Sequence, residues 1–483
     1  MVINGSAIVD NGIDRSYLAG VDASFAEVAR AAHRGDRSRP LYWRLAEALA
    51  PTLAGEATPE PPSARALAAE LGVNRATVTA AYHELARRGL LVLRPGRPRR
   101  GRPGQIDSAA TAGELPAGGL DLARYAPDRE LLPAGETFRW LGLGDGEGEG
   151  VAQYGSTWGY EPLRGWVAAR LRGLGIAAST GGVLLTGGVQ HGLDLLLRAV
   201  ARPGDVVLVE DPTYPGLPPL LALHQMRALG VPVHRDGVHP EDVERLLGQT
   251  HPRLAILTPT LHNPSGVVLS EDRRRELLAL LASRGTLVVE EFFDPALVSE
   301  GPVPPPLAAL DPGVVAVGSF SKALFPGLRV GWVVGPGDVV KRVGAVKRAA
   351  DLGGSPFLEA AAWTLCSRGV LDDQFARLRH AARVRLQVVQ HALSRAPAGV
   401  GWSEPRGGFS LVVTLPAGWS SRAVAARAGE FGVWVLPGPA MSVSGRDDVV
   451  RVAYAAVGGE RLEAGMRRLV DALAPTQGAL PLV

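Results

Sequence analysis

Short apolar runs bounded by glycine and proline recur through the later part of the chain, and helical stretches separate them. Runs of this length, rich in valine and leucine, are typical of buried parallel strands, and the helical stretches between them supply the crossovers. We therefore predict a mostly parallel sheet covered by helices, with ligands bound at the carboxyl ends of its strands. The runs are VVLVE (206–210), LAILTP (254–259), TLVVEE (286–291) and VVAVGSF (314–320).

Lysine is scarce in this chain, which has 51 Lys and Arg residues in total but lysine only at positions 322, 341 and 347. A composition biased toward arginine keeps lysine where a primary amine is needed, because a guanidinium stays protonated and is a poor nucleophile. Lys322 lies in SFSKALFPGLR, two residues after the end of the apolar run 314–320. The position predicts an amine that binds pyridoxal 5′-phosphate (PLP) as a Schiff base, and the alternative is a surface lysine in a loop.

Groups suited to a phosphate lie near Lys322 and at one other turn. Hydroxyl and guanidinium side chains flank the lysine in SFSKALFPGLR, and both are donors that a phosphate dianion requires. The Gly-rich turn that opens the helical stretch 186–200 would add free backbone amides at a helix N-terminus. Many helices start with glycine, so this second signal is weak alone. The predicted phosphate ligands are Ser319, Ser321, Arg329 and the backbone of Gly188, Val189 and Gln190.

Two further side chains follow strand runs directly. Tyr214, in EDPTYPG, has a ring that can stack on a planar cofactor, although a packing role is at least as common for a single tyrosine. Asn263, in TPTLHNPSG, lies on a Pro-rich turn, where its amide can donate to a ring hydroxyl or staple the turn. Both lie where the strand order predicts a ligand site.

The region after residue 39 has a different, helical pattern. PLYWRLAEALA (40–50) places leucines on one face of a helix. Ser63 can cap a short helix that ends at Gly72, and Asn74 can cap a second helix that ends at Gly89. Two short helices joined by a tight turn predict a helix-turn-helix, in which the second helix enters the major groove of DNA.

The second of these helices separates into two faces. Val78, Tyr82 and Leu85 form the expected buried stripe, and His83 is among the residues that point away from it. The strand and turn that follow, LLVLRPGRPRRGRPG, are rich in arginine and suit a basic wing that contacts phosphates. The alternative is a plain three-helix domain followed by a basic linker.

Charge is distributed unevenly along the chain. Residues 30–105 contain 14 Arg against 6 Asp and Glu, whereas the formal charge of the whole chain is only +3. A basic block beside an acidic body is typical of a polyanion-binding module joined to a second domain. Composition and pattern together predict an N-terminal arm (1–39), a winged helix-turn-helix (40–100), a Pro/Gly-rich linker (101–120) and a large PLP-binding domain (121–483).

The N-terminal segment PPSARALAAELGVNRATVTAAYHELARRGLL resembles the winged helix-turn-helix of GntR-type transcriptional regulators. That resemblance implies DNA contacts by Arg65 and Arg75, a phosphate contact by Thr77 and a base-facing Thr79. The wing departs from the family pattern, since Gly-x-Gly-Thr-Phe-Val is replaced by GRPRRGRPG. The complete set of expected DNA-binding residues is Arg65, Asn74, Arg75, Thr77, Thr79, His83, Arg97 and Arg99.

From about Asp121 onward the chain resembles fold-type I, class I and II aminotransferases, and as a whole it resembles the MocR subgroup of GntR regulators. The resemblance implies an α/β domain with a smaller C-terminal α/β subdomain. It makes Lys322 the Schiff-base lysine, Tyr214 the stacking ring and Asn263 the partner of the ring oxygen. It also implies a domain-swapped homodimer, in which Tyr154 reaches the partner subunit's phosphate, and a carboxylate-binding Arg451.

One departure from the aminotransferase pattern falls in VVEEFFDPAL. The family's aspartate, which pairs with the pyridine nitrogen, is replaced by Glu291, and its tyrosine by Phe293. Glu290 or Asp294 could also supply the anion. A misplaced carboxylate would slow the abstraction of the substrate α-proton without preventing cofactor binding. We therefore expect weak or absent transaminase turnover.

These observations favour a PLP-responsive, DNA-binding regulator in the cytoplasm, with PLP, an amino acid or an amine as effector. The alternatives are an ordinary aminotransferase with an accessory N-terminal domain, and a DNA-binding repressor that no longer uses PLP. The effector is left open, with control of vitamin B6 synthesis as one option. The single cysteine excludes a disulfide framework within the chain, and we expect neither a metal site nor a membrane-spanning segment.

Overall fold

The structure, a computed structural model, divides into two compact units, Met1–Gln105 and Ile106–Val483. The division falls within the range predicted as a linker. The expected N-terminal arm and most of that linker lie outside the described residues. No helix in the described part of the chain is long and apolar enough to cross a membrane. The residues that the structure describes are 40–54, 61–87, 91–92, 99–100, 118–133 and 153–474.

The described part of the N-terminal unit has three helices and a two-stranded ribbon, as the sequence predicted. The helices are α1 (Leu41–Ala54), α2 (Ala64–Leu71) and α3 (Arg75–Arg87). Strand β1 (Leu91–Val92) pairs antiparallel with β2 (Arg99–Arg100) and forms the wing. The winged helix-turn-helix expected from the sequence is confirmed.

The turn between α2 and α3 forms as its capping residues dictate. The Ser63 hydroxyl accepts a hydrogen bond from the amide of Ala66 (3.1 Å), and Gly72 ends α2 with a left-handed φ of 64°. The Asn74 side chain accepts from the amide of Ala76 at 2.8 Å and caps α3. One shared core then fixes the angle between the helices; its fully buried members include Leu45, Leu49, Leu67, Val78, Ala81 and Leu85.

The second unit contains an eight-stranded sheet in the order β4-β11-β10-β9-β8-β5-β6-β7. Strands β5, β6, β8, β9 and β10 pair in parallel, whereas β11 runs antiparallel between β10 and β4, and β7 is antiparallel to β6. The mostly parallel sheet is therefore confirmed. The strands are β4 (Leu184–Thr186), β5 (Val206–Asp211), β6 (Arg227–His234), β7 (Gly237–Val238), β8 (Leu254–Leu257), β9 (Leu287–Phe292), β10 (Val315–Ser319) and β11 (Gly331–Val334).

Helices cover both faces of this sheet and give it two cores. On β5, Leu208 packs into one core, while Val207 and Val209 pack into the other, as strand geometry requires. The helices are α4 (Glu161–Gly173), α5 (Val189–Val200), α6 (Leu217–Leu223), α7 (Pro240–Leu247), α8 (Glu271–Ala282), α9 (Leu307–Leu310), α10 (Gly337–Asp351), α11 (Pro356–Ser367) and α12 (Val370–Leu393).

A smaller C-terminal subdomain follows, as expected, and α12 spans the junction with the large sheet. Phe375 of α12 packs into a core of the large sheet, whereas Leu386 packs into the core of the subdomain. The subdomain sheet has the order β12-β13-β16-β15, and strand β14 pairs in parallel with β3 from the start of the unit. Its elements are β3 (Leu120–Asp121), β12 (Gly401–Trp402), β13 (Leu411–Thr414), α13 (Ser421–Glu430), β14 (Val433–Trp434), β15 (Leu436–Pro437), β16 (Val449–Val452) and α14 (Gly459–Leu473).

The central strands should dominate the stability of the second unit. Leu208 is fully buried, whereas Leu223 at the end of α6 is 46% exposed. We expect Leu208→Ala to lower the free energy of unfolding by about 2–5 kcal/mol, because it leaves a cavity in a packed core. The matched control Leu223→Ala should cost less than about 0.5 kcal/mol. Denaturant unfolding of the full chain measures both, and equal effects would contradict the assignment of the core.

Candidate functional site

The predicted cofactor residues converge on one edge of the large sheet, because the carboxyl ends of parallel strands point the same way. Strands β5, β8, β9 and β10 each supply one or more of these residues, either within the last two positions of the strand or in the segment that follows it. A cavity opens at this edge. Among the predicted residues, those that line it are Val189, Gln190, Tyr214, Asn263, Glu291, Ser319, Ser321, Lys322 and Arg329.

One end of the cavity suits a phosphate. Helix α5 begins there, capped by Gly188 with a φ of 98°, and a Cβ at Gly188 would lie only 3.0 Å from Nη2 of Arg329. Arg329 has a left-handed φ of 51°, which is costly for a side-chain-bearing residue, and donates from Nη2 to the carbonyl of Gly187 at 2.6 Å. The buried hydroxyl of Ser321 has no hydrogen-bond partner among the described residues. An amide-rich helix start, a guanidinium and an unpaired hydroxyl fit a phosphate group.

Lys322 follows β10 and borders the same cavity. Its Nζ donates to the backbone carbonyl of Tyr125 at 2.5 Å and lies 4.8 Å from the centre of that residue's ring. Desolvation, together with the positive charge of Arg451, lowers the pKa of Lys322 to about 8, against the raising effect of Glu291. A lysine with a pKa near 8 has a substantial unprotonated, nucleophilic fraction at neutral pH.

Glu291 is the carboxylate that β9 presents to the cavity. Its Oε2 accepts a hydrogen bond from the Thr258 hydroxyl at 3.2 Å, and burial raises its pKa to about 7. Glu290 lies on the opposite face of the strand, where its Oε2 accepts from the amide of Ala308 at 3.0 Å. Asp294 also lines the cavity but forms an ion pair with Arg170 at 3.0 Å. Of the three acids considered from the sequence, Glu291 is therefore the one available to a cofactor ring.

The remaining cavity walls suit an aromatic ring. Tyr214 is half-buried, and burial raises the pKa of its phenol to about 12, so it is neutral at physiological pH. Asn263 is 1% exposed and accepts from Arg451 through Oδ1 at 3.4 Å. Phe293 lines the cavity without contributing a hydroxyl. The walls thus include the phenol of Tyr214, the amide of Asn263 and the apolar ring of Phe293 among other aromatic side chains.

Three predicted residues of this unit lie outside the cavity lining, and the first of them, Gly188, is the N-cap of α5. Arg451, on β16, is buried at 4% exposure, and Nη2 donates to the carbonyl of Ala123 at 2.6 Å. Tyr154 is 93% exposed and lies away from the cavity of its own chain.

Sequence reasoning did not identify Tyr125, Thr258 or Glu210 as residues of this site. Thr258 connects two carboxylates, because its amide donates to Glu210 at 2.8 Å and its hydroxyl donates to Glu291. Its position directly after β8 was a usable signal. Tyr125 lies about two hundred residues from Lys322 along the chain, and no local pattern indicates that contact.

The outer face of α3 carries the expected DNA-facing residues. Arg75 and His83 are exposed, Thr77 and Thr79 are partly exposed, and Arg65 is exposed at the start of α2. The stripe on the opposite face is buried, and the Tyr82 hydroxyl donates to the carbonyl of Pro62 at 2.9 Å. Of the two wing arginines, Arg97 lies outside the described residues, and the backbone of Arg99 forms part of β2.

Comparison with known proteins yields two family matches that divide the chain. Residues 128–469 match aminotransferase class I and II, and residues 54–100 match the bacterial regulatory proteins of the gntR family. A 2-aminoadipate transaminase of Thermus thermophilus is 33% identical over 374 residues, covering 76% of this chain and 91% of that protein. The HTH-type transcriptional regulator TauR of Rhodobacter capsulatus is 30% identical over 456 residues, covering 85% of this chain and 91% of that protein.

A solved structure gives the same result for the fold. The alpha-aminoadipate aminotransferase LysN of Thermus thermophilus, complexed with N-(5'-phosphopyridoxyl)-L-leucine, superposes with a TM-score of 0.70 at 32% identity. The match covers 75% of this chain and 95% of that one. Fold and site thus define a protein that joins a GntR-type DNA-binding domain to an aminotransferase class I and II domain. The chain belongs to the MocR subgroup of GntR-family transcriptional regulators.

The lowered pKa of Lys322 predicts how uptake of PLP by cofactor-free protein depends on pH. The rate should rise as the amine loses its proton and level off above about pH 8. Glu291→Gln removes a carboxylate that raises this pKa, so the midpoint should move to lower pH. Glu290→Gln, on the opposite face of the same strand, should leave it in place. Uptake is measured from the visible absorbance of the lysine-bound cofactor, and a midpoint near that of free lysine, about 10.4, would contradict the assignment.

Proposed function

We propose that this protein is a transcriptional regulator whose binding to operator DNA responds to PLP held covalently by Lys322. PLP is the cofactor of the aminotransferase family to which the chain belongs. The observation that carries the proposal is the presence, in one chain, of an exposed α3 face and a lysine of lowered pKa beside a phosphate-binding helix start. A protein that is only an enzyme would need the lysine beside the helix start but not the exposed α3 face.

The residues at the cavity have distinct proposed roles toward the cofactor. Bound PLP supplies an aldehyde that condenses with a primary amine and a ring that withdraws electrons. Lys322 supplies that amine, and Arg329, Ser319, Ser321 and the first amides of α5 hold the phosphate. Tyr214 would cover one face of the ring, Asn263 would donate to the ring oxygen, and Glu291 would face the ring nitrogen.

The same residues support a binding role better than rapid transamination. The Glu291 side chain is one methylene longer than the aspartate of the aminotransferase pattern, so its carboxylate would be a less well placed partner for a protonated ring nitrogen. Phe293 provides no hydroxyl to the ring oxygen. Lys322 remains able to bind the aldehyde, since that step depends on the amine alone.

DNA binding follows from the GntR domain, and we propose that α3 enters the major groove. Arg75, Thr79 and His83 would face base edges, and Thr77 would contact a phosphate. Arg65 and Asn74 would lie over the sugar-phosphate backbone, with the wing arginines Arg97 and Arg99 adding phosphate contacts. These contacts would fix the register of each domain on its half-site.

We further propose a homodimer in which the two chains complete each other's sites and exchange their DNA-binding domains. The exposed Tyr154 supports this arrangement, because a tyrosine side chain that is 93% exposed is available to the site of a partner subunit. The effector is PLP itself or an amino compound that condenses with it. An effector changes DNA binding only if it favours one of two states of the dimer.

The second candidate is a PLP-dependent aminotransferase with an accessory N-terminal domain. The presence of Lys322, Asn263, Arg329 and Arg451 favours it, because the aminotransferase pattern uses these residue types for PLP and for a substrate carboxylate. Phe293 and the exposed α3 face oppose it. Conversion of amino acids at about 1 s⁻¹ or faster by purified holo-protein would favour the enzyme.

PLP should change the affinity of the protein for DNA from its own upstream region. Binding is measured at one fixed salt concentration, because phosphate contacts dominate affinity. Lys322→Arg should abolish the response to PLP, since a guanidinium cannot form the Schiff base. The exposed Lys341→Arg, a matched control, should keep it. Selective binding that is indifferent to PLP would point to another effector, and binding without any sequence preference would refute the regulator.

Loss of one arginine on α3 should weaken operator binding specifically. We expect Arg75→Ala to reduce affinity by about 5- to 150-fold, the equivalent of one lost base or phosphate contact of about 1–3 kcal/mol. Arg342→Ala removes an exposed arginine from α10 of the other unit and should have a much smaller effect. A gel-shift titration with operator and scrambled DNA separates the two, and equal losses would place the DNA elsewhere.

A further inference from the structure

The segment between β3 and the 3-10 turn at Arg129–Leu131 contacts the two cations of the candidate site. The carbonyl of Ala123 accepts from Nη2 of Arg451 at 2.6 Å, and the carbonyl of Tyr125 accepts from Nζ of Lys322 at 2.5 Å. The ring of Tyr125 lies 5.3 Å from the Arg451 guanidinium and 4.8 Å from Nζ of Lys322. Tyr125 therefore lies between Arg451 and Lys322 in space.

Arg451 is a buried cation without an anionic partner among the described residues. Its Nη1 lies 3.4 Å from Oδ1 of Asn263, and its Nε has no hydrogen-bond partner there. Burial lowers the pKa of its guanidinium to about 10, so it remains charged at neutral pH. A buried guanidinium with a free N–H is suited to bind a carboxylate. Here the carbonyl of Ala123 and the ring of Tyr125 lie against this guanidinium instead.

The occupying segment is fixed at both ends. Before Tyr125, the amide of Leu122 donates to the carbonyl of Trp434 at 2.9 Å, and the carbonyl of Leu122 accepts from Ala453 at 2.7 Å. After it, the amide of Asp128 donates to the carbonyl of Ala455 at 2.8 Å, and its carboxylate pairs with the largely buried Arg385. Displacing the segment would break these contacts together.

The Tyr125 ring is also held by its neighbours. It meets Phe409 edge-to-face at 5.5 Å between ring centres, and Phe293 at 6.5 Å. The cavity lining includes Lys322 and Asn263 but neither Tyr125 nor Arg451. The open space thus reaches the lysine, while the approach to the arginine is filled.

We propose that Tyr125 closes the carboxylate subsite at Arg451, so that the site accepts PLP and simple amines without preferring α-amino acids. This inference rests on the proposed function and narrows its effector class to compounds that need no carboxylate contact. Tyr125 thereby determines specificity, because its ring excludes the group by which an amino acid would be recognised. Phe293, which lines the cavity, packs edge-to-face against the Tyr125 ring and supports its position.

The test compares ligands that differ by one carboxylate. Binding of L-phenylalanine and of 2-phenylethylamine to PLP-loaded full-length protein is measured by calorimetry. The wild type should bind the two within about threefold of each other. Tyr125→Ala should bind the amino acid at least about tenfold tighter than the amine, the equivalent of one charge-assisted hydrogen bond. Tyr125→Phe keeps the ring and should behave as the wild type, and adding Arg451→Gln to Tyr125→Ala should remove the preference.

A wild type that prefers the amino acid tenfold, and loses that preference with Arg451→Gln, would overturn the proposal. So would identical behaviour of Tyr125→Ala and Tyr125→Phe. If Tyr125→Ala does not fold, Tyr125→Leu is a smaller change that also removes the ring. The ratio of the wild-type affinities for L-phenylalanine and 2-phenylethylamine tests the proposal even without a variant.

Failure of the cofactor proposal is recognised separately. Borohydride reduction and mass analysis first establish whether PLP is attached to Lys322. If PLP is not attached, closure of the Arg451 subsite is tested by measuring the binding of 3-phenylpropanoate, which has a carboxylate and no amine. The closed wild type should not bind it measurably and Tyr125→Ala should, whereas saturable binding to the wild type would refute closure.

Discussion

The electrostatics of the candidate site centre on one buried amine, that of Lys322, which lies among other charged and polar groups. Desolvation and the neighbouring positive charge of Arg451 lower the pKa of that amine to about 8, and the Glu291 carboxylate opposes them. These groups come from β10, β16 and β9, so the balance exists only when the large sheet and the C-terminal subdomain are assembled. The parallel strands converge on this edge, and helix α12 joins the two cores that hold it.

The same assembly explains why an aminotransferase fold can serve a regulator. A binding role requires the lysine, the helix start at Gly188 and the Arg329 guanidinium, and all three are in place. Rapid turnover would also require an ionised carboxylate at the ring nitrogen and access for a substrate carboxylate. Burial raises the pKa of Glu291 to about 7, and the Tyr125 ring lies over Arg451. Under the proposed function, the site would keep the groups that hold the cofactor, while Tyr125 would limit the access of a substrate carboxylate to Arg451.

Much of the local structure was predictable because its causes are local. Ser63, Gly72 and Asn74 placed the ends of the helices in the DNA-binding unit, since caps act within three residues. The four apolar runs became β5, β8, β9 and β10, because uninterrupted valine and leucine suit a strand buried on both faces. Motifs that follow these strands then located the cavity. The scarcity of lysine left three candidates, and the sequence around Lys322, SFSKALFPGLR, singled it out.

The sequence alone thus determined the two-part organisation, the fold class and the lysine, because periodicity, capping and composition are properties of neighbouring residues. Only the tertiary structure decided which acid serves the site. Glu290 and Glu291 are adjacent in sequence, and the pleat of β9 sends them to opposite faces. The tertiary structure also brought Tyr125 between Lys322 and Arg451, although Tyr125 and Arg451 are more than three hundred residues apart in sequence. Contacts of that separation follow from packing of the whole unit, which no local pattern encodes.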